Sequence, residues 1–193
     1  MERNYFLAAD QLGVLLDTLQ DEGYSCLGPQ LQDGVITFLP LQNVEQLPRG
    51  WGVEQGPAHY QSIQQPHSRY FAWSNGPQAV KPLTFTPREL LWESQRDASG
   101  GLSFSTPKID QGPVALLGIR PCDLAALQLQ DEHFLRGHEP DPAYQARRKG
   151  LFLINVNCSH PSDSCFCAST GDGPDAKQGF DLSLYELNDG FVI

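Results

Sequence analysis

The apolar residues in the second half of the chain predict a parallel strand-helix-strand unit at about residues 114–157. Residues 114–119 and 151–156 are continuous apolar runs, as is typical of strands buried in a parallel sheet. Between them, apolar side chains recur at helical spacing over residues 123–134, and a polar helix is expected over residues 141–149. Parallel strands need a crossover of this kind, so we expect the two runs to lie side by side.

Antiparallel hairpins are predicted on both sides of this unit. Residues 24–41 contain two short apolar runs around the Asp-Gly pair in residues 32–34. Residues 181–193 alternate between apolar and polar positions around a second Asp-Gly pair in residues 188–190. Asp-Gly between two such runs favours a tight hairpin turn, so each segment is expected to fold back on itself.

Two further helices are predicted nearer the start of the chain. Leucines at helical spacing indicate a surface helix over residues 7–22, which we expect to end at Gly23. A short helix is expected to begin with Pro87 in its first turn and to present the apolar residues 90–92 on one side. Residues 43–66 are rich in Gly, Pro and Gln, and their pattern predicts no particular element.

Together these patterns predict an α/β (mixed α+β) fold. Its centre is a mixed sheet, with the parallel unit at about residues 114–157 and antiparallel hairpins at both ends. We expect one globular domain over residues 1–193, because 193 residues with 40% hydrophobic content suffice for a sizeable core. Within it, residues 1–80 are expected to form a variable meander and residues 81–193 the cysteine-bearing α/β part.

Composition and charge exclude several classes of partner. The chain has 13 Lys plus Arg against 23 Asp plus Glu, a formal charge of −10, and it contains no basic run suited to nucleic acid. No segment approaches the roughly 20 apolar residues of a membrane span, and the first residues do not have the pattern of an export signal. We therefore expect a cytoplasmic protein that binds neither nucleic acid nor membrane.

Four of the five cysteines follow strands predicted to share one edge of the sheet. Cys122 comes just after the first strand of the parallel unit, and Cys158, Cys165 and Cys167 come after the second. Ligands of open α/β sheets gather at the carboxyl ends of the strands, so the four thiols are expected to lie together. The fifth, Cys26, stands alone at the start of a predicted strand and is expected to be a buried free thiol.

The four thiols predict a metal centre, with two kinds of occupant left open. Clustered thiols in a reducing compartment are more often ligands than disulfides, and four thiolates suit either an iron-sulfur cluster or zinc. Four unligated thiols, or two joined in a bridge, are the remaining alternative, because no standard zinc-finger spacing is present. Arg120 is placed to offset thiolate charge, serines near Cys165 can donate to sulfur, and His160 is a possible substitute ligand. Residues 171–174 predict a plain turn.

Five segments of the sequence resemble those of a known family: KPLTFTPRELLWE, LLGIRPCDLAAL, DPAYQARR, NCSHPSDSCFCASTGDGP and GFDLSLYEL. Together they resemble the beta subunit of soluble NiFe hydrogenases (sulfhydrogenases), a family that includes the A subunit of anaerobic sulfite reductase. The resemblance runs from about residue 80 to the end, and the combination of RPCD with NC and CFC makes it specific.

The resemblance implies an electron-transfer subunit of an oxidoreductase complex, not catalytic alone. Family members link a flavin-containing, nicotinamide-using diaphorase subunit to a hydrogenase or sulfite reductase subunit. A ferredoxin-like module that follows this domain in the family has no counterpart in the sequence, so we expect the N-terminal part of a longer iron-sulfur protein. Cys122, Cys158, Cys165 and Cys167 are then expected to bind one 4Fe-4S cluster. The alternative is a non-redox docking domain with structural zinc or no metal.

Overall fold

The computed structural model of the protein describes residues 4–76, 80–107 and 112–193. Its strands within these ranges are β1 (Phe6–Ala8), β2 (Ser25–Gln32), β3 (Val35–Pro40), β4 (Trp51–Gly56), β5 (His59–Gln64), β6 (Glu93–Arg96), β7 (Leu102–Ser105), β8 (Val114–Ile119), β9 (Leu151–Val156), β10 (Leu182–Glu186) and β11 (Gly190–Val192). Its α-helices are α1 (Leu12–Asp21), α2 (Lys81–Thr84), α3 (Pro121–Leu135), α4 (Pro142–Lys149) and α5 (Cys167–Thr170). Single 3₁₀ turns cover Ala9–Gln11 and Val44–Gln46.

The central sheet is mixed, as the sequence predicts. Over the described residues it contains seven strands in the order β1-β11-β10-β9-β8-β2-β3. The inner pairs β2 with β8, β8 with β9 and β9 with β10 are parallel, while β2 with β3 and β10 with β11 are antiparallel hairpins. The α3 and α4 helices form the crossover between β8 and β9. The fold class, the parallel unit and both hairpins are therefore confirmed.

Both faces of this sheet are buried, which explains why its inner strands are apolar throughout. All six residues of β8 are buried. Ala115 and Leu117 belong to a cluster that includes α1, whereas Leu116 and Ile119 belong to a second cluster that includes α3. Successive side chains of a strand point to opposite faces, so a continuous apolar run is the expected signature of a sheet covered on two sides.

The helix predicted over residues 7–22 is shorter in the structure. Residues 6–8 form β1, which pairs antiparallel with β11, and the α-helix begins only at Leu12. Helical spacing could not reveal β1, because this strand forms by pairing with the exposed edge of β11, which is distant in the sequence. The predicted stop is confirmed: the helix ends before Gly23, which has a φ of +87°.

The helix predicted after Thr86 is wrong. The structure has α2 at Lys81–Thr84 instead, and the three apolar residues 90–92 lead into β6, which pairs only with β7 among the described strands. All three side chains are exposed, and the Trp92 ring lies 5.6 Å from that of Phe104. Three consecutive residues point in three different directions around a helix, so they could not form one buried face.

Residues 43–66, which predicted no element, contain the 3₁₀ turn and the hairpin β4–β5. This hairpin contacts the central sheet through the Tyr60 hydroxyl, which lies 3.4 Å from the Ile36 backbone nitrogen. None of the helices in the described part of the chain is both long and apolar enough to cross a bilayer.

Candidate metal centre

The four predicted site cysteines lie at the carboxyl edge of β8 and β9. Cys122 is the second residue of α3, three positions beyond the end of β8. Cys158 follows β9 by two positions, and the same loop continues to Cys165 and then to Cys167 at the start of α5. The parallel pairing of β8 with β9 places the starts of both connections at the same edge. The predicted location is therefore confirmed.

All four of these cysteines line one cavity of about 370 Å³, and all four are free thiols. Cys122 and Cys165 are exposed to solvent, while Cys158 and Cys167 are half-buried. Cys26, by contrast, is buried in the core away from this cavity, as predicted. The structure thus brings together the thiols that the sequence singled out, and their role as ligands remains a prediction.

Backbone and hydroxyl groups of the loop after β9 already point at sulfur. The backbone N–H of Ser162 donates to Cys165 Sγ at 3.3 Å, and the Ser162 hydroxyl lies at the same distance from that sulfur. The Cys165 N–H in turn donates to the Ser162 carbonyl at 3.0 Å. Ser162 is thus one of the serines predicted to donate to sulfur, and it lies within hydrogen-bond distance of Cys165 Sγ.

Residues 171–174 close the cavity on the side of α5. A Cβ atom at Gly173 would lie 3.1 Å from Cys167 Sγ, so a larger residue here would require the Cys167 side chain to shift. The Cys158 N–H donates to the Pro174 carbonyl at 3.0 Å, and the Asp172 N–H donates to the Cys167 carbonyl at 2.9 Å. The segment predicted as a plain turn therefore also fixes two of the cysteines relative to each other.

Electrostatics at the cavity favour the protonated form of Cys122 and Cys158 unless a positive group is added. Although Cys122 as a residue is exposed, the protein atoms that displace water around its sulfur raise its pKa to about 12, and the negative charges of Asp123, Cys167 and Cys158 act in the same direction. Burial also raises the pKa of Cys158, whereas the positive charge of Arg120 opposes that rise. Four thiolates here would repel one another, and a multiply charged metal group between them would remove that repulsion.

Arg120 forms the innermost part of this site. Its side chain is 2% exposed, and its guanidinium donates to four backbone carbonyls, those of Phe71, Trp73, Val156 and Asn157. The guanidinium carbon also lies 4.4 Å from the centroid of the Trp73 ring. Arg120 therefore ties the end of β9 to residues 70–75, which we call the wall segment because Ser74 and Asn75 line the cavity.

The wall segment is held from its other side by Glu186 in β10. The two carboxylate oxygens of Glu186 accept from the backbone N–H groups of Tyr70 at 2.6 Å and Phe71 at 2.9 Å. Sequence reasoning missed both the wall segment and Glu186. One signal was available: strand alternation puts Glu186 on the same face as the buried Leu184, and an inward-facing acid needs a partner.

His160, the possible substitute ligand, is engaged elsewhere. Its Nδ1 lies 2.9 Å from the Ser159 hydroxyl, and its ring centroid lies 5.9 Å from that of His67. Burial lowers the pKa of His160, and the nearby Arg69 and His67 add to this effect. Its nearest partners are thus a hydroxyl and a second ring.

The described residues do not form a ready-made site for a single metal ion. Zinc draws its ligands to about 2.3 Å from one point. No group of three or more His, Cys, Asp or Glu side chains that could hold a metal ion occurs within the ranges that the structure describes. A cluster places several iron and sulfide atoms between its cysteines, so its thiols must surround a larger space. The four cysteines supply the thiol donors of such a cluster and line one cavity of about 370 Å³.

Comparison with known proteins supports part of the resemblance. No family model matches the chain, and no solved structure matches it. Sulfhydrogenase 2 subunit beta of Pyrococcus furiosus is 32% identical over 114 residues, which are 58% of this chain and 31% of that protein. The chain thus spans about a third of the length of this curated relative. Over more than half of its length, the chain is similar to a hydrogenase beta subunit.

Proposed function

We propose that this chain is an iron-sulfur electron-transfer domain of a hydrogenase-type complex, with one 4Fe-4S cluster bound by Cys122, Cys158, Cys165 and Cys167. The observation that carries the proposal is that these four free thiols line one cavity at the carboxyl edge of the parallel strands. The similarity to a sulfhydrogenase beta subunit supports the class of protein.

A 4Fe-4S cluster, when bound, takes up and returns one electron without breaking a bond. The residues of the chain hold it and set its surroundings. Cys122 approaches from α3 and the other three cysteines from the loop after β9, so the site is fixed by two neighbouring strands. Ser162 donates to the sulfur of Cys165, and such donors adjust the energy of the added electron. The proposal requires no general acid or base and no substrate site in this domain.

The partners follow from the resemblance and form part of the proposal. A flavin-containing diaphorase subunit is the proposed electron donor or acceptor on one side, and a hydrogenase or sulfite reductase subunit on the other. The name of the Pyrococcus furiosus relative supports the hydrogenase side. The match covers 31% of that relative. The activity of any larger assembly that contains this chain is therefore proposed here, like its partners.

Anaerobic reconstitution with ferrous iron and sulfide tests the proposed cluster. We expect about four iron and four sulfide per chain, an absorbance band in the visible, and an electron paramagnetic resonance signal after reduction with dithionite. A protein that remains free of iron and retains four titratable thiols would contradict the proposal. Zinc analysis of the protein as purified tests the other occupant in the same preparation.

The alternative function, a docking domain with zinc or no metal, has one observation in its favour. Several large apolar side chains in and next to β6 and β7 are exposed by more than half, namely Leu90, Leu91, Trp92, Leu102 and Phe104. Exposed apolar patches often mark contact surfaces. Of the three tryptophans in the chain, Trp73 is buried in the core, whereas Trp92 is exposed. Iron analysis separates the two functions.

A further inference from the structure

The Arg120 guanidinium is a positive charge that cannot leave the cysteine cavity. It lines the cavity, it is 2% exposed, and its four carbonyl contacts come from the wall segment on one side and from the end of β9 on the other. A surface arginine would turn toward water, and its charge would be screened. The Arg120 side chain can neither turn toward water nor be screened by it, because backbone carbonyls hold its guanidinium in place.

No carboxylate neutralises this charge by direct contact. Among the described residues, Arg120 forms no ion pair with an acidic side chain. Glu186 uses both oxygens for Tyr70 and Phe71, and Asp123 accepts from the Arg120 backbone N–H and from Asn75 Nδ2. The guanidinium therefore lines the same cavity as the thiols of Cys158 and Cys122 without a carboxylate in direct contact.

Two buried donors and one buried acceptor of residues that line the cavity have no hydrogen-bond partner among the described residues, namely the Ser74 hydroxyl, Arg120 Nε and Asn75 Oδ1. The Ser74 hydroxyl is buried, and Ser74 is 6% exposed and lines the cavity. Buried donors are seldom left without an acceptor, and sulfide and thiolate sulfur are acceptors.

We propose that Arg120 is a positioning residue for electron transfer, whose fixed positive charge raises the reduction potential of the cluster held by the four cysteines. This inference rests on the proposed function. Reduction by one-electron donors such as dithionite adds one negative charge and breaks no bond, so a nearby cation stabilises the reduced form relative to the oxidised form. Glu186, the anion behind the wall segment, has the opposite effect. The donor of Ser74 acts in the same direction as Arg120.

Charge-changing variants that differ in sign test this inference. Arg120→Gln removes the cation and should shift the potential to a more negative value, whereas Glu186→Gln removes an anion with little change in shape and should shift it to a more positive value. Arg120→Lys keeps the charge and should lie nearer the unaltered protein than Arg120→Gln. Arg136→Gln is the matched control, because Arg136 follows α3 and its side chain is 75% exposed.

The measurement is an anaerobic redox titration of the reconstituted protein, followed by electron paramagnetic resonance. Thermal unfolding of the metal-free variants shows which of them fold. If Arg120→Gln does not fold, Arg120→Met replaces it as the variant without the charge, and it should shift the potential to a more negative value. Opposite shifts for the two charge removals, with no shift in the control, support the inference.

Two results would overturn it. Equal potentials in all folded variants, or shifts of the same sign in Arg120→Gln and Glu186→Gln, would show that the charge of Arg120 does not set the potential, while the proposed cluster itself would stand. Failure of the unaltered protein to incorporate iron and sulfide would instead overturn the proposed function, and this inference with it.

Discussion

Arg120 and Trp73 make two contacts with each other next to the cysteine cavity. The guanidinium carbon lies 4.4 Å from the centroid of the indole ring, and Arg120 Nη2 donates to the Trp73 carbonyl at 2.9 Å. The indole N–H also donates to the Tyr70 carbonyl at 2.9 Å. The ring thus closes a turn within the wall segment and supports the buried cation at the same time, which couples the shape of the cavity to the packing of one aromatic side chain.

Replacing Trp73 should therefore destabilise the fold far more than replacing an exposed tryptophan. Trp73 is 1% exposed, and we expect Trp73→Ala to lower the free energy of unfolding by about 3–5 kcal/mol. Trp92 is 59% exposed, and Trp92→Ala should change it by less than about 0.5 kcal/mol. Urea unfolding followed by far-ultraviolet circular dichroism measures both, and similar losses would show that Trp73 does not have this role.

The cysteines should separate into two groups when each is changed to serine. Cys165→Ser and Cys167→Ser should abolish the visible absorbance of the reconstituted protein, because each removes one ligand of the proposed cluster. Cys26→Ser is the matched control: its thiol is buried in the core, away from the cavity, and the absorbance should be unchanged. Equal effects of all three changes would indicate general misfolding instead of loss of a ligand.

Alkylation of the metal-free protein should distinguish Cys26 from the other cysteines. Cys26 is 6% exposed, and burial raises its pKa, so both access and the supply of thiolate are reduced. We expect N-ethylmaleimide to modify the exposed Cys165 quickly and Cys26 only after addition of denaturant. Peptide mass spectrometry identifies the modified residue, and rapid labelling of Cys26 in the folded protein would contradict its position in the core.

A glycine next to the site should be intolerant of even a methyl group. Gly118 lies at an irregularity in the pairing of β8 with β9 and has a φ of +93°, and an added Cβ would lie 2.8 Å from the Phe71 ring. Gly118→Ala should lower the free energy of unfolding by about 3 kcal/mol or more, since backbone strain and overpacking add.

Gly100 provides the control for this change. It also has a positive φ, +87°, but an added Cβ would meet no atom within 4 Å. Gly100→Ala should therefore cost only the strain, about 1 kcal/mol. If the two variants unfold at the same denaturant concentration, the close approach of Phe71 to β8 contributes nothing, and the path of the wall segment is less constrained than the structure indicates.

The sequence predicts the elements that follow from local patterns of apolar and polar residues and from the way parallel strands pair. The continuous apolar runs identify β8 and β9, and the parallel pairing then places Cys122 and Cys158 at one edge before any coordinates are known. The first hairpin turn follows from its Asp-Gly pair, since Asp33 and Gly34 both have positive φ, whereas Gly190 of the second pair is already the first residue of β11. Each of these predictions uses residues close together in the sequence or a rule about strand ends.

The predictions that failed depend on contacts between distant segments. Residues 6–8 have no strand pattern of their own and become β1 only because β11 offers an open edge. The wall segment reaches the cavity because Arg120 and Glu186 hold it from either side, and the three lie far apart in the chain. Such contacts have no periodicity to detect, so an inward-facing Arg or Glu is the only local sign of them.

The position of Glu186 has a consequence for the order in which the protein matures. Its carboxylate holds the wall segment from β10, and β10 must first dock against β9. The rim around the thiols is thus complete only after β10 has joined the sheet. Iron and sulfide would therefore enter a polypeptide that is already folded, in contrast to zinc fingers, whose metal organises the chain.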